Sequence, residues 1–265
     1  MIICPNCKQP LTNHTKYYQC PNNHSFDVAK AGYLNLLLPK NNSTNLHGDN
    51  KEMIIARKKF LDKGFFYPLS DKIYNLIKPL IDSNSTILDA GCANGYYAEK
   101  LTSICNKVIG IDISKYAISK AAKQIPTGTF IVASLADIPI QNDSIDLIIN
   151  IFAPHFENEF SRILKKHGFL VKVTPATNHL QELKNILYDN PYTKDDKIYD
   201  LETFALLKSF NLEYQMMVSN DDLWALLQMT PYYYKTANDD KVKLNSINNL
   251  SITAAFIISI YQTKK

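Results

Sequence analysis

The stretch Ile87-Leu88-Asp89-Ala90-Gly91-Cys92-Ala93-Asn94-Gly95-Tyr96-Tyr97 runs out of an apolar strand, through a glycine-bearing turn, into a helix. Gly91 and Gly95 let backbone approach a ligand closely and present N–H groups at the helix N-terminus. The next apolar run, Val108-Ile109-Gly110-Ile111-Asp112, ends on an acid 21 residues after Gly91. A carboxylate in that place accepts two hydrogen bonds from a ribose diol. A dinucleotide turn requires G-x-G-x-x-G, whereas this chain has G-C-A-N-G-Y. Asp89, just ahead of the first glycine, repels a pyrophosphate and suits a cationic ligand that carries an amino-acid moiety. S-adenosylmethionine meets both demands, with its ribose at Asp112 and its sulfonium and amino acid near the Asp89 turn.

Outward from this turn the chain alternates. Short β-branched runs at Thr86–Leu88, Val108–Ile111, Thr129–Val132, Ile145–Ile149 and Gly168–Val173 read as strands, and residues 96–104, 114–123, 157–165 and 178–188 read as helices. That order predicts βαβ units and a parallel sheet with helices on both sides, an α/β fold. Two further strands, Leu212–Val218 and Ile252–Tyr261, flank a helix at 220–228, and the last strand is free to run antiparallel. Upstream, Asp49-Asn50-Lys51-Glu52 reads as an acidic helix cap before an apolar run to Leu61, with Gly64 as the stop and a second helix at Ser70–Ile81. Arg57, Lys58 and Lys59 on the first of these read either as phosphate contacts or as a solvated helix face.

The N-terminus has a different texture. Cys4, Cys7, Cys20 and His24 form C-x2-C-x12-C-x3-H, two close pairs of the donors zinc prefers. Three cysteines cannot pair evenly as disulfides, so a structural zinc site is the better reading; His14 is the rival fourth ligand. With four protein ligands no position remains for a catalytic water. Lys8, Lys16, Lys30 and Lys40 against Asp27 make this a basic module, either a substrate reader or a structural appendage. The polar run Asn41–Asn45 reads as a linker. The expected organisation is therefore a zinc module at 1–45, a helical linker or cofactor lid at 46–85, and a catalytic domain at 86–265.

With 46% hydrophobic and 11% aromatic residues, the 265-residue chain is not disordered. Its net charge of +4 is too mild to identify a nucleic-acid binder, and all but Arg57 and Arg162 of its 29 basic residues are lysine. The apolar run Ile252–Tyr261 is about half a membrane span, and no signal peptide is evident, so a cytoplasmic chain with no membrane partner is expected.

Taken together, the zinc ligands, Phe26-Asp27 through Leu36-Leu37, Gly48-Asp49 through Pro68-Leu69, the turn above, Phe152-Ala153-Pro154, Thr174-Pro175, His179-Leu180-x-Glu182-Leu183-Lys184 and Leu227-Gln228-Met229-Thr230-Pro231 resemble the bacterial 23S rRNA (guanine-N1)-methyltransferases. The resemblance spans the chain. It implies a class I methyltransferase Rossmann-like sheet of seven strands, the last antiparallel, behind a zinc-binding domain. It implies zinc on Cys4, Cys7, Cys20 and His24, and S-adenosylmethionine contacts from Ala93, Asn94, Phe66 and His179. It also implies homodimers that cradle a 23S rRNA hairpin. Three departures stand out: Ala93 replaces the middle glycine of the turn, which suits a negative φ; Phe66 replaces a tyrosine; and His155 stands where the family has cysteine.

Methyl transfer is an in-line displacement that depends mainly on alignment. Deprotonating guanine N1, of pKa ~9, costs about 3 kcal/mol at pH 7. Phe152 reads either as a stacking platform for a flipped base or as core, and His155 as a proton acceptor or an idle surface group. Asp112 has a second reading as a helix cap, and His179 as a helix-terminal or surface residue. Two other functions fit less well: a small-molecule methyltransferase, which the basic module disfavours, and a non-catalytic RNA binder, which the intact Asp89, Gly91, Gly95 and Asp112 set disfavours.

Overall fold

Described in this computed structural model are residues 1–39, 48–191, 196 and 198–265. The Asn41–Asn45 linker, Lys40 and the expected boundary at residue 45 lie outside them. The elements run β1 (Thr12–Asn13), β2 (Tyr17–Gln19), β3 (Ser25–Asp27), β4 (Leu34–Asn35), α1 (Lys51–Leu61), α2 (Tyr67–Ile77), β5 (Thr86–Ala90), α3 (Tyr96–Leu101), β6 (Lys107–Asp112), α4 (Lys115–Gln124), β7 (Thr129–Val132) and β8 (Ile145–Ile151). They continue through α5 (Glu157–Ile163), β9 (Leu164–Pro175), α6 (Gln181–Leu187), β10 (Phe204–Ser219), α7 (Asn220–Gln228), α8 (Tyr232–Lys235), α9 (Asn238–Val242) and β11 (Asn249–Thr263).

The large sheet has the order β10-β11-β9-β8-β5-β6-β7-β4. Pairings from β9 through β8, β5, β6 and β7 to β4 are parallel, and β11 runs antiparallel to both β9 and β10. All seven strands expected from the sequence are present, in the arrangement of a class I methyltransferase. Parallel strands covered on both faces read as unbroken apolar runs, and β5 is buried at every residue. Alternate residues serve opposite faces. Ile87 and Val108 pack with Phe60, Leu69, Ile73, Ala98 and Ile118, while Leu88 and Ile109 pack with Phe160 and Ile163 of α5.

The second face holds a strand the sequence did not announce. The crossover from β7 to β8 has no helix to cover the sheet, and the N-terminal module covers it instead. Ile2, Leu34 and Leu36 are buried in that core, Ile2 bridges Ile140, and β4 pairs in parallel with Ile131 and Val132 of β7. Two residues are too few to show periodicity, so β4 exists only because a sheet edge receives it. The β10–β11 ribbon is likewise longer than its apolar runs, pairing from Phe204↔Thr263 to Ser219↔Asn249. As an edge strand, β10 carries many exposed residues, which breaks the apolar pattern that marks an interior strand.

Helix boundaries differ from expectation at several ends, and in the first two helices the reasons are local. Asn50, not Asp49, caps α1: its side chain accepts from the Met53 N–H at 2.9 Å, which frees Asp49 to turn inward. The second helix begins three residues earlier than expected, with Pro68 in its first turn, and gives way to a 3-10 turn at Lys78–Leu80, where Pro79 has no N–H to donate. No helix among the described residues is long and apolar enough to cross a membrane.

Candidate active site

Strand order reverses at β5 and β8, and ligands of open α/β sheets bind beyond the carboxyl ends of strands at such a point. Here a cavity of about 350 Å³ opens, lined by Gly91 and Ala93 after β5, Asp112 at the end of β6, Ala133–Leu135 after β7, Ile151 at the end of β8 and Phe152–Pro154 after it. Gly48, Asp49 and Arg57 close it from α1 and the segment before it. Gly48 permits this approach, since a Cβ there would stand 2.4 Å from Ile113 Cγ2.

Gly91 has φ +85°, and a methyl group on it would stand 2.3 Å from the Ala153 Cβ, so the loop after β8 presses directly on the turn after β5. Gly95 caps α3 in the left-handed region, and Asn94 is buried. Ala93 has φ +46°, the opposite sign from the expectation for a residue replacing glycine. Its N–H donates to Asp112 Oδ2 at 2.9 Å, and that bond holds the turn in place. Asp112 Oδ1 accepts from the Ser114 N–H at 2.8 Å, while Ser114 itself caps α4. Asp112 is therefore not a helix cap. Each of its oxygens keeps lone-pair capacity for a ribose hydroxyl.

Asp89 lies beneath the turn at 2% exposure, and its Oδ2 has no hydrogen-bond partner. Burial, reinforced by the nearby Asp112 charge, pushes its carboxyl up to about 8. Such a group is satisfied when a cation comes near, as the ammonium and sulfonium of S-adenosylmethionine do. This orphaned oxygen and the close-fitting glycine turn fit that cofactor.

On the opposite wall, Phe152 is 40% exposed and has φ +54°, an uncommon conformation for an aromatic residue. The core reading of Phe152 does not hold. Its ring faces that of His179 at 6.4 Å and 25°, next to Phe256. Asn150, fully buried, anchors this loop by donating to Ala90 O and Pro154 O, both at 3.1 Å, and by accepting from Lys172 Nζ at 3.0 Å. His155 does not line the cavity: its ring stacks on Tyr199 at 5.7 Å and meets the edge of Phe160.

His179 sits among Phe66, Phe152 and Phe256, and its Nδ1 accepts from the Ala255 N–H at 3.2 Å. Burial first, and then the Lys184 charge, lower its pKa to about 3. The ring is therefore neutral, and with Nδ1 accepting, Nε2 carries the proton. Phe66, 3% exposed, lies edge-on to Phe60 and Phe256 and is not part of the cavity lining. Cys92 and Cys105 are buried among apolar neighbours, as small hydrophobic groups are.

Two charged residues of the cavity lining, Asp49 and Arg57, were given other roles in the sequence, a helix cap for the first and a phosphate contact or solvated face for the second. Asp49 and Arg57 form an ion pair there, and Arg57 Nη2 also reaches Met229 O at 3.4 Å. One signal was available: an arginine kept in a chain that otherwise uses lysine. After Pro231, Tyr232 and Tyr233 pack on the core and Tyr234 is exposed.

Some distance away, Cys4, Cys7, Cys20 and His24 place their ligand atoms within 4.8 Å of one another. Separations of 3.3 Å from Cys20 Sγ to His24 Nδ1, 3.5 Å from Cys4 Sγ to His24 Nδ1 and 3.6 Å between Cys7 and Cys20 Sγ match the edges of a zinc tetrahedron, roughly 3.5–3.8 Å for bonds of about 2.0–2.3 Å. Lys8 and Asn23, at φ +60° and +62°, turn the two knuckles. His14 instead stacks on Tyr17, outside the group.

Comparison with known proteins agrees with this geometry. Residues 2–43 match the zinc-ribbon family described as "RlmA, N-terminal", and residues 88–171 match the methyltransferase domain family. A 23S rRNA (guanine(748)-N(1))-methyltransferase of Streptomyces fradiae is 32% identical over 70% of this chain and 67% of its own length. A protein of Bacillus subtilis (strain 168) with a 23S rRNA (guanine-N(1)-)-methyltransferase name is 31% identical over 96% of this chain and 94% of its own length. One of Micromonospora griseorubida is 28% identical over 89% and 87%. The cofactors are S-adenosylmethionine and zinc. With the ribbon and the cofactor turn both matched, and a relative aligned nearly end to end, the chain belongs to the zinc-containing 23S rRNA (guanine-N1)-methyltransferase family.

Proposed function

We propose that this protein transfers a methyl group from S-adenosylmethionine to N1 of a guanine in a hairpin of 23S rRNA, acting in the cytoplasm as a homodimer. The observation that carries this reading is a single cavity in which the loop after β8, with Phe152 at its rim, presses on the turn after β5, with Asp112 beside it.

When bound, S-adenosylmethionine supplies an electrophilic methyl group for in-line displacement. Asp112 holds the ribose, Asp89 faces the cationic end, and Gly91, Ala93, Asn94 and Gly95 shape the turn around it. Phe152 offers an exposed ring face on which a base flipped from the hairpin stacks, and its strained backbone aims that ring. His179, neutral with Nε2 donating, and Phe66 behind it hold the floor on which the Phe152 ring rests. His155 braces the loop through Tyr199. The zinc site is closed by four protein ligands and is therefore structural, and the exposed Lys16 and Lys30 of the module face RNA phosphate.

The test is incubation of the zinc-loaded protein with labelled S-adenosylmethionine and a 23S rRNA hairpin, followed by nucleoside digestion. N1-methylguanine that disappears with Asp112→Ala is the expected result. Label on small metabolites only, or RNA binding without transfer, would refute it. Sedimentation of the same sample reads the oligomeric state, expected at twice the chain mass.

A further inference from the structure

We propose that Arg57 receives the carboxylate of the cofactor's amino-acid moiety, which makes α1 a working wall of the cofactor site. This rests on the reading of the cavity as the S-adenosylmethionine site. Arg57 is the only cationic side chain among the described residues that line the cavity, which otherwise presents Asp49 and Asp112. A carboxylate entering there has no other charge partner. Among the described residues the guanidinium donates from Nη2 to Asp49 and to Met229 O, and the buried Nε–H has no acceptor.

The chain's other arginine shows what a satisfied guanidinium looks like. Arg162 donates from Nε to Glu159, from Nη1 to Ile140 O and Asn142, and from Nη2 to Ile138 O and Glu159. A buried donor left unmade is costly, and beside a cavity it favours an incoming acceptor that completes it. Arg57 Nε and Asp89 Oδ2 are two such buried atoms, a donor on the first and an acceptor on the second. An α-amino acid carries one anion and one cation, and this pair complements it: the ammonium end to Asp89, the carboxylate end to Arg57. Asp49 and Met229 hold the guanidinium in position, which gives the Gly48-Asp49 segment and the Leu227–Pro231 segment a shared purpose.

The test is titration calorimetry on the zinc-loaded full chain with two ligands, S-adenosylhomocysteine and its decarboxylated analogue. Wild-type protein is expected to bind the first at least about 10-fold more tightly, the scale of one charge-assisted contact. Arg57→Met should abolish that preference by weakening S-adenosylhomocysteine alone, and Arg57→Lys should keep part of it. Equal weakening of both ligands by Arg57→Met overturns the assignment, and so does the absence of a preference in the wild type, a result that needs no variant to fold. Unchanged S-adenosylhomocysteine binding with weaker hairpin binding would instead make Arg57 an RNA phosphate contact. If the wild type binds neither ligand, the reading of the cavity itself fails and the proposed activity with it.

Discussion

Asp89 and Ala93 are both unfavourable for the fold and are best understood through the cofactor turn. An alanine at φ +46° costs on the order of 1 kcal/mol, and the Asp112 hydrogen bond to its N–H offsets that strain. Asp89 has the larger effect. Its folded pKa of about 8 stands above an ordinary value of 3.8, so the folded form binds a proton more tightly than the unfolded form. Its contribution to stability is fully present below pH 4 and is lost as pH rises towards 8. Asp89→Asn should therefore stabilise the cofactor-free protein by about 1–3 kcal/mol at pH 8 and leave it little changed at pH 4. It should also weaken S-adenosylhomocysteine binding. Urea unfolding at the two pH values checks this; parallel stability curves for the two proteins would refute it.

At the scale of the element, the loop after β8 is set by its anchor more than by its own sequence. Asn150 spans the Ala90 carbonyl at the end of β5 and the Pro154 carbonyl inside the loop, and accepts from buried Lys172. Asn150→Ala removes all three bonds, one of them to a charged group, and should cost about 2–4 kcal/mol. Because β5 stays in the sheet while the loop loosens, methyl transfer should fall at least about 10-fold, as misplacement of a reacting group predicts. S-adenosylhomocysteine affinity should change far less. Calorimetry beside a transfer assay separates these effects, and equal losses in both would show that Asn150 shapes the cofactor turn instead.

Across the whole molecule, the zinc ribbon behaves as a missing part of the sheet's cover. Ile2, Leu34 and Leu36 fill the second face where the β7–β8 crossover lacks a helix, and Lys8 pairs with Asp137 on that crossover. Because metal holds the module's knuckles, the free energy of zinc binding reaches the catalytic sheet through β4. Chelation should therefore lower the midpoint of thermal unfolding of the whole chain by at least about 5 °C, since 1 kcal/mol shifts a protein of this size by about 2–4 °C. It should also reduce S-adenosylhomocysteine affinity, because Ala133–Leu135 line the cavity directly after β7. An unchanged main transition with only a small separate loss would show that the ribbon is an independent appendage.

The amino-acid sequence by itself determined seven of the eight strands of the large sheet, the turn at 91–95, the acid at 112 and the zinc ligands. Each is written in short-range terms: two-residue and 3.6-residue periodicity, glycine spacing, ligand spacing. Only the tertiary structure decided what those elements meet. The positive φ of Ala93, the pairing of Arg57 with Asp49 in the cavity, the packing of His155 on Tyr199, and β4 itself all depend on groups far apart in the chain. Burial and charge pairing are properties of the assembled sheet, and no local pattern encodes which buried atom is left without a partner.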